Sequence, residues 1–231
     1  MQNIKLNPEI KKNIVNAIKE TNMFVAGELH GAKNNVAVYE YLMNTFPLSG
    51  LALEWPKEYG NKLEKYLSNT IDNEELFENV SKDGRFSLEI LKLLRKLKTK
   101  NRVRDIIFFD LESDYVDWDT RDKLMANEII KKCKNGENYL VIAGNLHTQK
   151  ESFKDAYEGD IKIPMGKHLV NHFGNYPLVN IRYNSGKIYN NGITELTKQK
   201  AENTDEIIDM GDNNYEIVLE KAVPIDYSPF E

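Results

Sequence analysis

Two segments of this chain, Gly27-Glu28-Leu29-His30 and Gly144-Asn145-Leu146-His147, repeat one Gly-x-x-His pattern at distant points and use two of its four histidines. Each follows an apolar run, Met23-Phe24-Val25-Ala26 and Tyr139-Leu140-Val141-Ile142-Ala143, that reads as a buried strand. A third run, Leu51-Ala52-Leu53-Glu54-Trp55-Pro56, ends in a carboxylate. The carboxyl edge of a parallel sheet is where α/β proteins build their sites. An imidazole beside carboxylates there supports two kinds of chemistry. His30 can act as a general base if its pKa lies near the working pH, with Glu28 or Glu54 orienting the ring and stabilising its cation. Alternatively, His30, His147 and Glu54 can hold a divalent metal with water in an open position. Glu28 and Glu54 are expected on neighbouring strand ends, where two close carboxylates cannot both ionise cheaply and one pKa rises.

Other residues are candidates for the same site. Asn145 occupies the Glu28 position of the second copy; it cannot ionise, so it would orient or hydrogen-bond a substrate. Arg121 opens a long helix, where the helix dipole disfavours a cation. A partner must compensate, either the buried glutamates or the substrate, and with His147 it would polarise a carbonyl oxygen as charge builds there. Arg85, in Lys82-Asp83-Gly84-Arg85-Phe86, is a second such arginine and a substrate-binding candidate. His168 and His172 share a helix face but lack the glutamate of a His-Glu-x-x-His motif, so they read as part of an amphipathic face. Cys133, the only cysteine, has no catalytic or metal-binding pattern around it and excludes an intramolecular disulfide.

The elements that must position these groups follow from periodicity and caps. Asn7-Pro8 opens a first helix with Ile10, Ile14, Ala17 and Ile18 on one face. Strand 23–27, a helix over 33–46 and strand 51–54 form a strand–helix–strand unit. Residues 57–100 read as a helical excursion, with helices around Leu63 to Leu67, Leu76 to Val80 and Leu88 to Leu97. It would be a lid over the strand ends or a cover for the sheet. The sheet resumes at 104–110, and an acidic loop leads into a helix over 120–134. Strand 138–143 ends in the second Gly-x-x-His, followed by helices over 149–157 and 164–173 and a strand over 178–183. A turn at 184–187 into a short strand near Ile188-Tyr189, and a last β-like run at 215–219, complete the chain. Strand, Gly-x-x-His, helix, strand thus occurs at 23–54 and again at 139–183. The expected fold is α/β, a mostly parallel central sheet flanked by helices, in two related halves within a single domain spanning 1–231.

The bulk properties fit that picture. The 231 residues are 41% hydrophobic and 29% charged, as in ordinary globular proteins. A net charge of −5 argues against a nucleic-acid partner that relies on phosphate neutralisation. No apolar run is long enough to span a bilayer. The first residues lack the apolar stretch of a signal peptide. The expectation is a cytoplasmic protein with a small-molecule substrate, its oligomeric state open.

These motifs together, with Leu53-Glu54-Trp55-Pro56 and Arg121-Asp122-Lys123-Leu124-Met125-Ala126-Asn127, resemble the superfamily joining erythromycin esterase-like hydrolases, the haem-uptake protein ChaN and the Tiki/TraB proteins. The resemblance spans roughly residues 23–183. It implies a cleft between two related halves that holds both histidines and the paired glutamates. It also implies divergent activities: lactone hydrolysis with a motif histidine activating water, metal-dependent proteolysis, or haem binding. The leading expectation is hydrolysis of an ester, lactone or amide bond, with or without a divalent metal. The alternative is a non-catalytic protein that binds haem or another small ligand.

Overall fold

The structure is a computed structural model that describes residues 4–68, 70–71, 82–111, 117–155, 159–199, 201 and 203–227. Helix α1 (Pro8–Thr21) starts where Asn7 accepts the Glu9 N–H at 2.8 Å and ends on Asn22 in a left-handed conformation. Such a cap stabilises a helix by about 1 kcal/mol. Strand β1 (Met23–Glu28), helix α2 (Asn35–Thr45) and strand β2 (Gly50–Pro56) form the first half. Helices α3 (Tyr59–Leu67) and α4 (Leu88–Thr99) lead to β3 (Asp105–Asp110). The long helix α5 (Trp118–Lys132) then leads to β4 (Tyr139–Gly144). A small hairpin, β5 (Phe153–Asp155) and β6 (Gly159–Ile161), precedes α6 (Met165–Phe173) and β7 (Leu178–Tyr183). A second hairpin, β8 (Lys187–Tyr189) and β9 (Ile193–Glu195), precedes the final pair, β10 (Ile207–Gly211) and β11 (Asn214–Leu219).

Seven strands make the central sheet in the order β10-β11-β7-β1-β4-β2-β3, all parallel except β10. The order expresses the internal repeat. β1 and β4, the two strands that end in Gly-x-x-His, lie side by side at the centre. β1 is flanked by β7 and β4 by β2, so each half lends its second strand to the other half's first. The strand order is symmetric about an axis along the strands between β1 and β4, and their parallel pairing brings both motif turns to one edge. Such an axis exchanges the two faces of the sheet, and the helices obey it. Ile14 and Ile18 of α1, Val38 and Leu42 of α2, and Leu91 and Leu94 of α4 pack on Phe24, Ala26, Leu51, Leu53, Leu140 and Ile142. On the other face, Met125 and Ile129 of α5 and Met165 and Leu169 of α6 pack on Met23, Val25, Ala52, Val141 and Ala143. Both faces being covered is why these strands read as continuous apolar runs.

Two expectations change. β4 lies between β1 and β2, so Glu28 and Glu54 are not on neighbouring strands. The helix expected over 149–157 is instead the β5–β6 hairpin as far as it is described. Phe153, Lys154 and Asp155 spend their backbone on pairing with Ile161, Asp160 and Gly159, and Gly159 takes the left-handed φ of +81° that a tight return of the chain favours. Within 57–100, α3 and α4 cover the sheet, while the expected helix around Leu76, Phe77 and Val80 lies outside the described residues. Among the described residues, no helix is long and apolar enough to cross a membrane.

Candidate active site

At the carboxyl edge of β1, β2 and β4 a cleft of about 540 Å³ is walled by apolar Leu29, Trp118, Leu146 and Ile188 over a floor of charged side chains. The first Gly-x-x-His turn sets His30 into it. Gly31 holds a left-handed φ of +82°, and a Cβ there would meet the Tyr189 carbonyl oxygen at 1.9 Å, so this tight path requires glycine. The His30 side chain is 22% exposed. Its Nδ1 lies 2.7 Å from Glu28 Oε1, and its Nε2 lies 3.7 Å from Glu54 Oε2. Gly144, opposite, lets the ring approach: a Cβ there would stand 3.0 Å from Nε2. Burial alone would lower the His30 pKa. The Glu54 charge, the Glu28 hydrogen bond and the remaining pull of both groups outweigh it and raise the pKa to about 10. His30 is therefore an imidazolium at neutral pH, suspended between two acidic side chains.

Glu54 is the hub beneath it and is almost fully buried. Its Oε2 accepts the Gly144 N–H at 2.7 Å, and its Oε1 accepts from Arg121 Nη2 at 3.2 Å. Burial pushes this carboxyl up, and the His30 and Arg85 charges beside it outweigh burial to hold it well below the usual carboxylate range. The raised carboxyl pKa expected of a glutamate pair is thus not seen at Glu54. His30 sits where the shared proton would be, and it is the group whose pKa rises.

Asp110, at the end of β3, completes the floor, with one oxygen accepting from Arg121 Nε and Nη2 at 3.2 and 2.9 Å. Its other oxygen accepts from Arg85 Nη1, which also donates to the Glu54 carbonyl at 3.0 Å. Asp83 holds the outer side of the Arg85 guanidinium, at 2.9 Å from Nε and 2.6 Å from Nη2. Trp55, stacked on Phe86 at 3.9 Å, donates Nε1 to the Arg85 carbonyl at 3.3 Å and so pins this loop to β2.

The second histidine has a different environment from the first. His147 is 3% exposed and stacks flat against Trp118, with ring centroids 4.5 Å apart. Its Nδ1 donates to Asp122 Oδ1 at 2.5 Å, and Asp122 Oδ2 accepts the Met165 N–H at 2.8 Å. Its Nε2 is 2.8 Å from Arg121 Nη1. A guanidinium can only donate, so that nitrogen presents its lone pair to Arg121. Both ring nitrogens are therefore committed.

The structure brings Glu28, His30, Glu54, Arg85, Arg121, Asn145 and His147 to one cleft, but it changes what several of them can do. Arg121 and His147 were expected to polarise a carbonyl oxygen. Instead, Arg121 spends donors on Asp110, Glu54 and His147, and His147 spends both nitrogens on Arg121 and Asp122. The metal set His30, His147 and Glu54 does not fit. A guanidinium occupies the side of His147 from which a metal would bind, and a cation there would face Arg121. No group of three metal-binding side chains exists among the described residues. Asn145 donates weakly to the Ile181 carbonyl at 3.5 Å, and its Oδ1 is buried without a hydrogen-bond partner. His168 and His172 lie outside the cleft, half-buried and exposed on α6. Cys133 is also remote, and burial followed by the Asp105 charge pushes its thiol up to about 12. Sequence reasoning missed Asp110, Asp122 and Trp118. Asp110 closes an apolar strand run much as Glu54 does, and Asp122 directly follows Arg121; both were visible as signals of position.

No family model matches the chain, and no curated protein matches it significantly. Solved structures do. A mutant erythromycin esterase in its open conformation superposes with a TM-score of 0.63 at 12% identity, over 87% of this chain and 82% of that one. The fold is similar to that of this esterase. A succinoglycan biosynthesis protein matches with a TM-score of 0.65 at 14% identity, over 94% of this chain and 92% of the other. A Bacillus cereus protein matches with a TM-score of 0.54 at 14% identity, over 84% and 75%. At these identities the likeness concerns the fold, which is the one the motif resemblance implied.

Proposed function

We propose that the protein is a metal-independent hydrolase of an ester, lactone or amide bond in a small molecule, with His30 as its proton carrier. The observation that carries this reading is the placement of His30 at the cleft wall, its Nδ1 on Glu28 and its Nε2 facing Glu54 across 3.7 Å. That gap lets one water touch both Nε2 and the carboxylate. In its neutral form His30 takes a proton from this water while the oxygen attacks the carbonyl carbon. Glu28 then stabilises the imidazolium, which returns the proton to the leaving group. Arg85 and Arg121 hold Glu54 and Asp110 in place.

The raised pKa gives this scheme a signature. At pH 7 only about one His30 in a thousand is neutral, so a base of this kind gains activity tenfold per pH unit up to about 10. The test is turnover of a panel of chromogenic esters, lactones and anilides by chelator-treated protein, beside the His30→Gln variant. Hydrolysis by the wild type alone is expected. Equal turnover by a folded His30→Gln variant would overturn the role of His30.

A further inference from the structure

Behind Glu28 a hydrogen-bond chain runs out of the cleft into the other half of the molecule. Tyr183, the last residue of β7, places its hydroxyl 2.7 Å from Asn35 Oδ1 at the start of α2. The Asn35 amide nitrogen donates to Glu28 Oε2 and to the Leu29 carbonyl, each at 2.9 Å. Glu28 Oε1 meets His30 Nδ1 at 2.7 Å. Asn35 is 3% and Tyr183 4% exposed, so water does not substitute for these partners.

We infer that Tyr183 and Asn35 are positioning residues that fix which nitrogen of His30 exchanges the catalytic proton, an inference that rests on the proposed role of His30. The chain of donors has one direction. A phenol hydroxyl can donate to Asn35 Oδ1, and that bond sets the amide so that its NH₂ group faces Glu28. Glu28 can then only accept from Asn35, and its other oxygen receives the proton on His30 Nδ1. Nε2 is left as the nitrogen that faces the cleft and the Glu54 carboxylate. Burial, and after it the Glu28 charge, pushes the Tyr183 hydroxyl above its ordinary range, so it remains a donor throughout neutral pH. Without the hydroxyl, the buried Asn35 Oδ1 loses its donor and the amide is held only by Glu28 and the Leu29 carbonyl, which loosens its hold on Glu28 and so on the His30 ring. The relay is also asymmetric between the halves. His147 receives its carboxylate directly from Asp122, whereas the Glu28 of His30 is held from the far half through β7.

Tyr183→Phe removes the hydroxyl and keeps the ring in the core; Asn35→Asp keeps the shape but replaces the donor facing Glu28 with an acidic oxygen. Both are read at fixed neutral pH by the His30 side-chain ¹H–¹⁵N spectrum and, on a confirmed substrate, by kcat and KM separately. The expected result is a sharp, downfield His30 Nδ1 proton in the wild type that broadens or is lost in both variants. It is accompanied by a fall in kcat of about tenfold to a hundredfold with KM changed less than threefold. A folded Tyr183→Phe protein with an unchanged Nδ1 resonance would overturn the relay. The spectrum needs no substrate, so a changed resonance in a protein without hydrolytic activity would uphold the relay and defeat the hydrolase reading instead.

Discussion

The charge on His30 makes a prediction about stability that needs no substrate. A group whose pKa rises from 6.5 unfolded to about 10 folded binds its proton more tightly in the native state. Its contribution to stability is full below pH 6.5, declines by about 1.4 kcal/mol per pH unit above it, and is gone once the pH passes about 10. The shift corresponds to about 5 kcal/mol, a large share of the roughly 5–15 kcal/mol that holds an ordinary domain together. The side chain is 22% exposed, too little for solvent to screen most of this. His30→Gln removes the titration while keeping a polar side chain between Glu28 and Glu54. Urea unfolding of both proteins, followed by circular dichroism at intervals from pH 6 to 10.5, gives the stability difference at each pH. Subtraction cancels the titration of groups remote from the site. The wild-type advantage is expected to shrink by about 5 kcal/mol between pH 6.5 and 10. A difference that stays constant across this range would show that His30 is not held as a cation, and the electrostatic reasoning would fail.

Other substitutions probe the floor and the second turn. Arg121→Met removes one of the two cations shared by the buried Glu54 and Asp110, leaving Arg85 alone between them, and should cost about 3–5 kcal/mol in denaturant unfolding; a loss below 1 kcal/mol would show that the ion network is not stabilising. Asp122→Asn weakens the hold on both His147 and the first turn of α6 and should cost about 1–3 kcal/mol, measurable as a lower Tm. Gly144→Ala puts a methyl group 3.0 Å from His30 Nε2, so turnover should fall about a hundredfold while Tm moves little; undiminished turnover would mean that Nε2 is not the reacting atom. Prolonged dialysis against a chelator should leave activity intact, and activity that vanished and returned with a divalent ion would restore the metal reading.

The central strands and the meeting of the two Gly-x-x-His turns were legible because the signals were local. Met23 to Ala26 and Tyr139 to Ala143 are buried on both faces and so read as unbroken apolar runs, and each ends in the same turn chemistry. The repeat at 23–54 and 139–183 carried the topology, since two related strand pairs that share one sheet interleave naturally as β7-β1-β4-β2. No spacing along the chain encodes that interleaving, which is why the sequence predicts Glu28 and Glu54 on adjacent strands. The roles of His147 and Arg121 were hidden for a related reason. Whether a histidine has a free nitrogen depends on long-range partners, here Asp122 and the guanidinium of Arg121, and no spacing along the chain encodes them. The small hairpins β5–β6 and β8–β9 have strands too short to show alternation, so the sequence predicts a helix over 149–157 and a turn with a single strand near 188–189 in their place.

The most direct test of the central claim is the pH dependence of kcat/KM for a hydrolysed substrate, measured from pH 6 to 10.5 on chelator-treated wild type and on His30→Gln. The profile expected is a tenfold rise per pH unit that levels near pH 10 in the wild type and is absent from the variant. A wild-type profile that is flat or falls across that range would contradict His30 as the base.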